Sequence, residues 1–118
     1  MKVEGDGKLL RIFIGESDHH GHTPLYQAIV ETLREHGLAG ATVLRGIEGF
    51  GAHSRLHTHR ILRLSEDLPI VIEVADRAER IDAILPTLDA MVTEGMLTVE
   101  PIHIIAYRAG DDPGDAAR

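Results

Sequence analysis

The chain has 118 residues, a formal net charge of -7 at pH 7 and no cysteine, and its hydrophobic fraction of 43% suits one globular domain with a modest core. Without cysteine, a disulfide framework, a thiolate zinc site and a catalytic thiol are excluded, and the composition fits a reducing cytoplasm. No apolar run approaches the ~18 residues that a membrane-spanning helix needs. The acidic balance and the low aromatic content, two Tyr and two Phe, predict an aliphatic core and argue against binding to nucleic acid.

The first half of the chain predicts a strand, a helix and a second strand. Residues 9–15 alternate β-favouring apolar side chains, as a strand does. Thr23 supplies an N-cap hydroxyl and Pro24 suits the first helical position, and Gly37 ends this helix with a left-handed cap. Residues 42–48 form the next predicted strand. The apolar face of the helix repeats every fourth residue: Leu25, Ile29 and Leu33.

The second half repeats this order after a long loop. Residues 68–75 contain the strongest predicted strand, and Asp76 with Glu79 has the spacing of a capping box that opens a second helix. Pro86 interrupts the helical pattern, so we expect a kink or a helix that restarts there. Residues 96–107 form the last predicted strand. The second helix has a longer apolar stripe: Ile81, Ile84, Leu85, Leu88, Met91 and Val92.

The element order βαββαβ predicts a ferredoxin-like α+β sandwich, a four-stranded antiparallel sheet with two helices on one face. Pro101 indicates that the last strand has a bulge, lies at an edge of the sheet or is broken. We expect one domain over residues 1–108, with a mobile loop at 51–63 and a disordered tail at 109–118. The other face of the sheet needs cover, so a homotrimer or a homodimer is predicted.

The predicted loop at residues 51–63 holds three His, three Arg and no acid, in a chain that is acidic overall. A cationic segment of this kind favours an anionic ligand, above all phosphate. Arg55 and Arg60 offer planar donors that match phosphate oxygens. Three glycines next to these residues let backbone amides approach a ligand closely: Gly46, Gly49 and Gly51.

Several motifs resemble those of the PII nitrogen-regulatory signalling proteins. Gly40-Ala41-Thr42-Val43 leads into Gly49-Phe50-Gly51, a long polar loop follows, and Leu68-Pro69-Ile70-Val71-Ile72-Glu73-Val74 returns as a strand. The opening Leu9-Leu10-Arg11-Ile12-Phe13-Ile14-Gly15-Glu16 is closer still to a PII-like family of small uncharacterised bacterial and archaeal proteins. The resemblance extends over residues 9–107, nearly all of the predicted domain.

That resemblance implies a ferredoxin-like homotrimer with adenine nucleotides in clefts between subunits. It also implies that the loop at residues 51–63 regulates a partner protein, such as a transporter or an enzyme. By position, Thr42 matches a threonine near the adenine, and Phe50, with the glycines on either side, matches the turn beside the nucleotide. His53 falls among loop residues that reach the phosphates, and Arg108 falls near the phosphate-binding arginines at the C-terminus.

Two acidic residues indicate which adenine nucleotide the chain is expected to bind and how. Where PII has a lysine in a glycine-containing loop before its last strand, residues 93–96 have none and include Glu94. This departure favours AMP or ADP over ATP. Glu16 follows the first strand, where its carboxylate can accept a hydrogen bond from a ribose hydroxyl or an adenine amino group. The loop at residues 51–63 has no tyrosine, so the nucleotidylylation of PII proteins has no acceptor here.

Two histidines leave a second function open. His57 and His59 flank a single residue, and in extended backbone both rings face one side, as ligands of zinc, nickel or copper do. The chain would then resemble the divalent-cation tolerance proteins, with a divalent metal as its ligand. Phosphate-loop, dinucleotide-binding and nucleophile-elbow motifs are absent from the sequence, so we do not expect an enzyme.

Overall fold

The computed structural model describes residues 3–51 and 67–110. In chain order its elements are β1 (Gly5–Gly15), β2 (His19–His20), β3 (Thr23–Pro24), α1 (Leu25–Glu35), β4 (Thr42–Arg45), β5 (Pro69–Arg77), α2 (Ala78–Met91) and β6 (Met96–Ile104). Four strands form one antiparallel sheet in the order β4-β5-β1-β6, and β2 pairs with β3 in a small hairpin. This is the predicted ferredoxin-type arrangement.

The core lies between this sheet and the two helices. Alternate residues of β1 are buried opposite buried residues of β5: Leu10 with Val74, Ile12 with Ile72 and Ile14 with Ile70. The helices contribute the predicted apolar stripes, which include Leu25, Ile29 and Leu33 from α1 and Ile81, Ile84 and Leu88 from α2. The buried cluster contains only Leu, Ile and Val, which confirms the aliphatic core. Each such side chain stabilises the fold by ~1.5–3 kcal/mol when fully buried.

Helix α1 ends as predicted but begins differently. At its C-terminus Gly37 has φ 80°, the Gly37 amide donates to the carbonyl of Arg34, and the Leu38 amide donates to the carbonyl of Leu33. These two bonds form the predicted left-handed cap. At the other end the prediction of Thr23 as N-cap is wrong, because Thr23 is in β3 and no side chain caps the helix. The pairing of β3 with β2 holds this residue in extended backbone.

The predicted capping box of α2 is also wrong. Asp76 belongs to β5, and its side chain is completely buried. One carboxylate oxygen accepts from the Ala39 amide at 2.8 Å, and the other accepts from the Arg77 amide at 2.7 Å. The helix begins at Ala78 without a side-chain cap. Asp76 thus joins the segment before β4 to the junction of β5 and α2, in place of the helix contact that its spacing predicts.

Pro86 lies inside α2, which is one continuous helix from Ala78 to Met91 and does not restart at the proline. Ile84 and Leu88, on either side of Pro86, are both buried, so a helix broken there would expose part of the core. Their burial offsets the ~3 kcal/mol that proline costs within a helix. Within the described ranges, neither helix has the length and apolar character needed to cross a membrane.

Most predicted strands differ from the observed ones at their ends. β1 begins at Gly5 rather than at residue 9, because Gly7 permits a close approach of strands: a Cβ on Gly7 would lie 2.6 Å from the Asp76 carbonyl oxygen. β4 stops at Arg45 rather than at residue 48, and β6 stops at Ile104 rather than at residue 107. Pro101 lies in β6, an edge strand, which is one of the three alternatives predicted for it.

An apolar row crosses the face of the sheet that points away from the helices. In the strand register, Val71 of β5 lies between Leu44 of β4 and Phe13 of β1, and Phe13 in turn lies opposite Met96 of β6. Leu44 and Met96 are 46% and 52% exposed. A contiguous row of this kind on an uncovered sheet face is typical of a surface that another chain covers.

An ionic cluster lies beside this row. Arg11 of β1 donates one hydrogen bond to Glu73 of β5 at 3.0 Å and another to Glu100 of β6 at 2.8 Å. The hydrogen bond with Glu73, followed by that with Glu100, raises the pKa of Arg11 above its ordinary value. The cluster links the three strands on this face and leaves one carboxylate in excess.

We predict that Gly95→Ala destabilises the protein by about 2–4 kcal/mol in chemical denaturation. Gly95 has φ 151°, and a Cβ there would lie 2.4 Å from the Phe13 carbonyl oxygen, so alanine meets both backbone strain and a clash. Gly40→Ala is the matched control, since its nearest neighbour would be the Tyr107 hydroxyl at 3.8 Å. The close packing of Gly95 on β1 is disproved if both variants unfold at the same denaturant concentration.

A second prediction concerns Asp76. Because each of its two oxygens accepts a backbone N–H, Asp76→Asn must place an NH2 donor against one of them. We expect a loss of about 2–4 kcal/mol in the free energy of unfolding. The control is Asp82→Asn, which removes an exposed ion pair with Lys8 and changes stability by at most ~1 kcal/mol. Equal effects for the two variants would contradict the role assigned to Asp76.

Candidate functional site

The candidate site is a cleft of about 340 Å³ at one end of the main sheet. Its walls come from the end of β1, the turn into β6, the segment 49–51 and the start of β5. The lining residues are Phe13, Ile14, Gly15, Asp18, Gly49, Phe50, Gly51, Asp67, Pro69, Glu94, Gly95 and Met96. The cleft therefore contains the Gly49-Phe50-Gly51 motif together with residues that are distant from it in sequence.

The predicted glycines fit this cleft by packing against Pro69. The Gly46 amide donates to the Pro69 carbonyl at 2.7 Å, and a Cβ on Gly46 would lie 2.9 Å from Cγ of the proline ring. Gly49 has φ 156°, and its Cβ would lie 3.1 Å from the same Cγ atom. The close approach expected at Gly46 and Gly49 is thus made to β5, and it fixes the direction in which the chain enters the motif.

Two carboxylates converge beside Gly15. The point where a Cβ of Gly15 would lie is 2.7 Å from Oδ1 of Asp67 and 3.5 Å from Oδ1 of Asp18. Asp18 also accepts from the Gly15 amide at 2.9 Å, and Asp67 accepts from the Ser17 hydroxyl at 2.7 Å. These hydrogen bonds hold both carboxylates at the wall of the cleft. Asp67 has no place in the sequence predictions.

Glu16 and Arg45 form an ion pair next to the segment that enters the cleft. The Glu16 side chain is 24% exposed and accepts from the Arg45 guanidinium. Arg45 ends β4 and is followed directly by Gly46. Sequence reasoning missed Arg45, although its place between Thr42 and Gly46 in the motif region could have indicated it. Glu16 is thus an acceptor, as predicted, but the donor in this structure is Arg45 of the same chain.

The structure brings some of the predicted site residues together and separates others. Gly49, Phe50 and Gly51 line the cleft, whereas Thr42 begins the edge strand β4 and lies opposite Glu73, halfway along β5. Arg108 follows β6 at the end far from the cleft, since Met96 at the start of that strand lines the cleft and roughly 26 Å of strand separates the two ends. The predicted residues His53, Arg55, Arg60, His57 and His59 lie outside the described residues.

The metal hypothesis gains no support from the described part of the chain. Among residues 3–51 and 67–110, no group of three or more His, Asp or Glu side chains is placed to hold a metal ion. His19, in the β2–β3 hairpin, instead shares a hydrogen bond of 2.7 Å between its Nδ1 and the Ser17 carbonyl. The proposed ligands His57 and His59 are not among these residues, so that pair stays a prediction.

A second cleft, of about 350 Å³, lies where the end of α1 meets the start of α2. Arg80 lines it and donates to the Gly37 carbonyl at 3.0 Å, which places its guanidinium in a contact between the two helices. None of the motif residues lines this second cleft. The cleft at the end of the sheet is therefore the better candidate.

The four-stranded antiparallel sheet with its two helices defines the class of fold, which is PII-like and of the ferredoxin-type α+β kind. The structure of CPII from Thiomonas intermedia K12, bound to ADP, AMP and acetate, superposes with a TM-score of 0.51. The two chains are 18% identical, and the match covers 88% of this chain and 91% of CPII. At this identity the similarity establishes the fold.

The chain belongs to the DUF190 family, described as "Uncharacterized ACR", whose model matches residues 7–104. A UPF0166 protein of Aquifex aeolicus strain VF5 is 36% identical over 98 residues, which are 83% of this chain and 92% of that protein. A UPF0166 protein of Methanocaldococcus jannaschii is 34% identical over 98 residues, 82% of this chain and 90% of the relative. The family assignment confirms the resemblance to small PII-like prokaryotic proteins.

Proposed function

We propose that this protein is a PII-like signalling protein that binds an adenine nucleotide in the cleft at the end of the sheet. AMP or ADP is the favoured ligand. The ligand state is transmitted to a partner protein, such as a transporter or an enzyme, through residues 51–63, and no catalytic step is involved. The observation that carries this proposal is the Gly49-Phe50-Gly51 motif at the wall of a cleft large enough for a nucleoside.

The chemistry of the cleft suits a flat, partly polar ligand. Phe13, Pro69 and Met96 contribute apolar wall, and Phe50 is 71% exposed although it lines the cleft. Apolar walls with a few polar groups are typical of small-molecule sites. An aromatic ring beside such a cleft can stack on a base. CPII, which shares this fold, was solved with ADP and AMP, which supports an adenine ligand here as well.

A site between subunits accounts for the separation of the predicted residues. Arg108 follows the end of β6 that is remote from the cleft, so one chain does not bring it to Phe50. In a homotrimer, Arg108 of one subunit would complete the cleft of the next. The apolar row formed by Leu44, Val71, Phe13 and Met96 supports this assembly, because its burial would supply the driving force for association.

The nucleotide prediction is tested by calorimetry with AMP and ADP on two variants from the same segment. Phe50→Ala is expected to weaken binding about five- to thirtyfold, because the ring lines the cleft. Ile47→Ala is the matched control: Ile47 is 94% exposed and is not among the cleft residues, so its affinity is expected to stay within about twofold of wild type. Thermal unfolding checks that both variants keep wild-type stability.

Two results would count against the nucleotide site. If neither AMP nor ADP binds the wild-type protein at millimolar concentration, the proposed function is wrong. If both bind but Phe50→Ala matches Ile47→Ala in affinity, the nucleotide lies somewhere other than in this cleft. Zinc titrated in parallel tests the alternative ligand at His57 and His59, since stoichiometric uptake above pH 7 that both His→Ala changes abolish would favour a metal protein.

The assembly prediction is tested by light scattering on the purified protein. We expect three times the monomer mass of 12.9 kDa, and we expect Val71→Glu to give monomers. Val71 lies in the middle of the apolar row, so a buried carboxylate there would be unpaired. Ala90→Glu, on the exposed surface of α2, is the control and should keep the wild-type mass. A wild-type monomer, or a Val71→Glu trimer, would overturn the assignment of this face.

A further inference from the structure

We infer that Tyr107 is a positioning residue for phosphate binding, because it fixes the backbone that carries Arg108. This inference rests on the proposed function, in which Arg108 of one subunit completes the cleft of the next. It goes further by naming the residue that holds this arginine in place before a ligand arrives. It also predicts which part of the ligand loses affinity when that support is removed.

The segment that follows β6 is held at Tyr107 by two hydrogen bonds. The Tyr107 hydroxyl donates to the carbonyl of Ala39 at 3.1 Å, and the Tyr107 carbonyl accepts from the amide of Val3 at 3.3 Å. Val3 is only 2% exposed, so this second contact is made to a well-packed part of the chain. The backbone is therefore anchored from both sides at the residue directly before Arg108.

The acceptor of the Tyr107 hydroxyl is itself fixed. The Ala39 amide donates to a carboxylate oxygen of Asp76 at 2.8 Å, and the Asp76 side chain is completely buried. Removing a donor from a buried carboxylate costs free energy, so Ala39 has little freedom to move. Through Ala39, the Tyr107 ring is tied to the junction of β5 and α2 rather than to another surface loop.

Arg108 has the features of a phosphate donor that is ready to bind. The residue is exposed, and no hydrogen bond or ion pair joins its side chain to another part of the chain that the structure describes. Its guanidinium is a planar donor that can bind two phosphate oxygens at once. An anchored backbone lowers the conformational entropy that the arginine loses on binding, which raises affinity. Tyr107 supplies that anchor without needing to touch the ligand.

The test is calorimetry with adenosine and ADP on the full-length protein. Tyr107→Phe should weaken ADP about three- to tenfold and leave adenosine within about twofold, because adenosine has no phosphate for Arg108 to bind. Arg108→Gln should weaken ADP about ten- to a hundredfold, with the same small effect on adenosine. Both variants should keep the thermal midpoint within about 5 °C of wild type, since Tyr107 and Arg108 are exposed.

Tyr26→Phe is the matched control. Tyr26 lies in α1, packs against the core and does not line the cleft, so the loss of its hydroxyl should leave both affinities within about twofold of wild type. The double variant Tyr107→Phe/Arg108→Gln separates positioning from a general structural defect. If Tyr107 acts through Arg108, the double variant binds ADP as Arg108→Gln does, whereas independent effects would multiply.

Three results overturn the inference while the proposed function stands, provided that wild type binds ADP. They are an unchanged ADP affinity in Tyr107→Phe or Arg108→Gln, an equal loss for adenosine and ADP in Tyr107→Phe, and a multiplied loss in the double variant. If wild type binds neither AMP nor ADP, the proposed function fails and the inference with it.

Discussion

β1 is hydrogen-bonded to β5 on one side and to β6 on the other over most of its length, and this central position constrains the rest of the molecule. Because side chains alternate along a strand, the residues that build the core and those that face away from it are fixed together. Leu10, Ile12 and Ile14 complete the layer against the helices, so Arg11 and Phe13 must lie on the other face. A shift of register by one residue would place Arg11 in the core. The last three residues of β1, Phe13, Ile14 and Gly15, line the cleft. The register of this one strand therefore decides which residues form the core, which lie on the opposite face of the sheet and which line the site.

The periodic parts of the fold could be predicted from sequence because they depend on local patterns. The 3.6-residue stripes of both helices and the alternation in β1 are visible in any window of the chain, and the glycine cap after α1 needs only neighbouring residues. Predictions failed where the conformation of a residue depends on a partner that is distant in sequence. Asp76 has the spacing of a capping residue, but the amide of Ala39, 37 positions away, competes for its carboxylate, and sequence alone contains no sign of that contact. Thr23 likewise does not cap α1, because it pairs with His20 in the hairpin of β2 and β3.

The residues of the candidate site also divide into those that a local motif predicts and those that only long-range contacts bring together. Gly49-Phe50-Gly51 is a local motif, and it lines the cleft as predicted. The acids opposite it were not found as a group, because Asp67 reaches Ser17 across 50 positions of sequence. Knowing the register would have been enough: Gly15 pairs with Pro69, and the Glu16 amide bonds to the Leu68 carbonyl, so Asp67 has to lie opposite Ser17. The cationic residues that the sequence predicts for a phosphate site lie outside the described residues, and the described wall of the cleft is acidic.

This arrangement also bears on how a ligand would be sensed. Residues 49–51 line the cleft just before the segment 52–66, and Asp67 lines it just after that segment. Both flanks are anchored, one by the bond from the Gly46 amide to the Pro69 carbonyl and the other by the bonds from Ser17 to Asp67. A ligand in the proposed site would contact both flanks at once, so its binding would bear on the two described positions from which the segment 52–66 departs and to which it returns. Such a ligand can shift an equilibrium of the protein only by the difference in its affinity for the two states. Small changes at Phe50 or Asp67 are thus the ones best placed to couple binding to a partner.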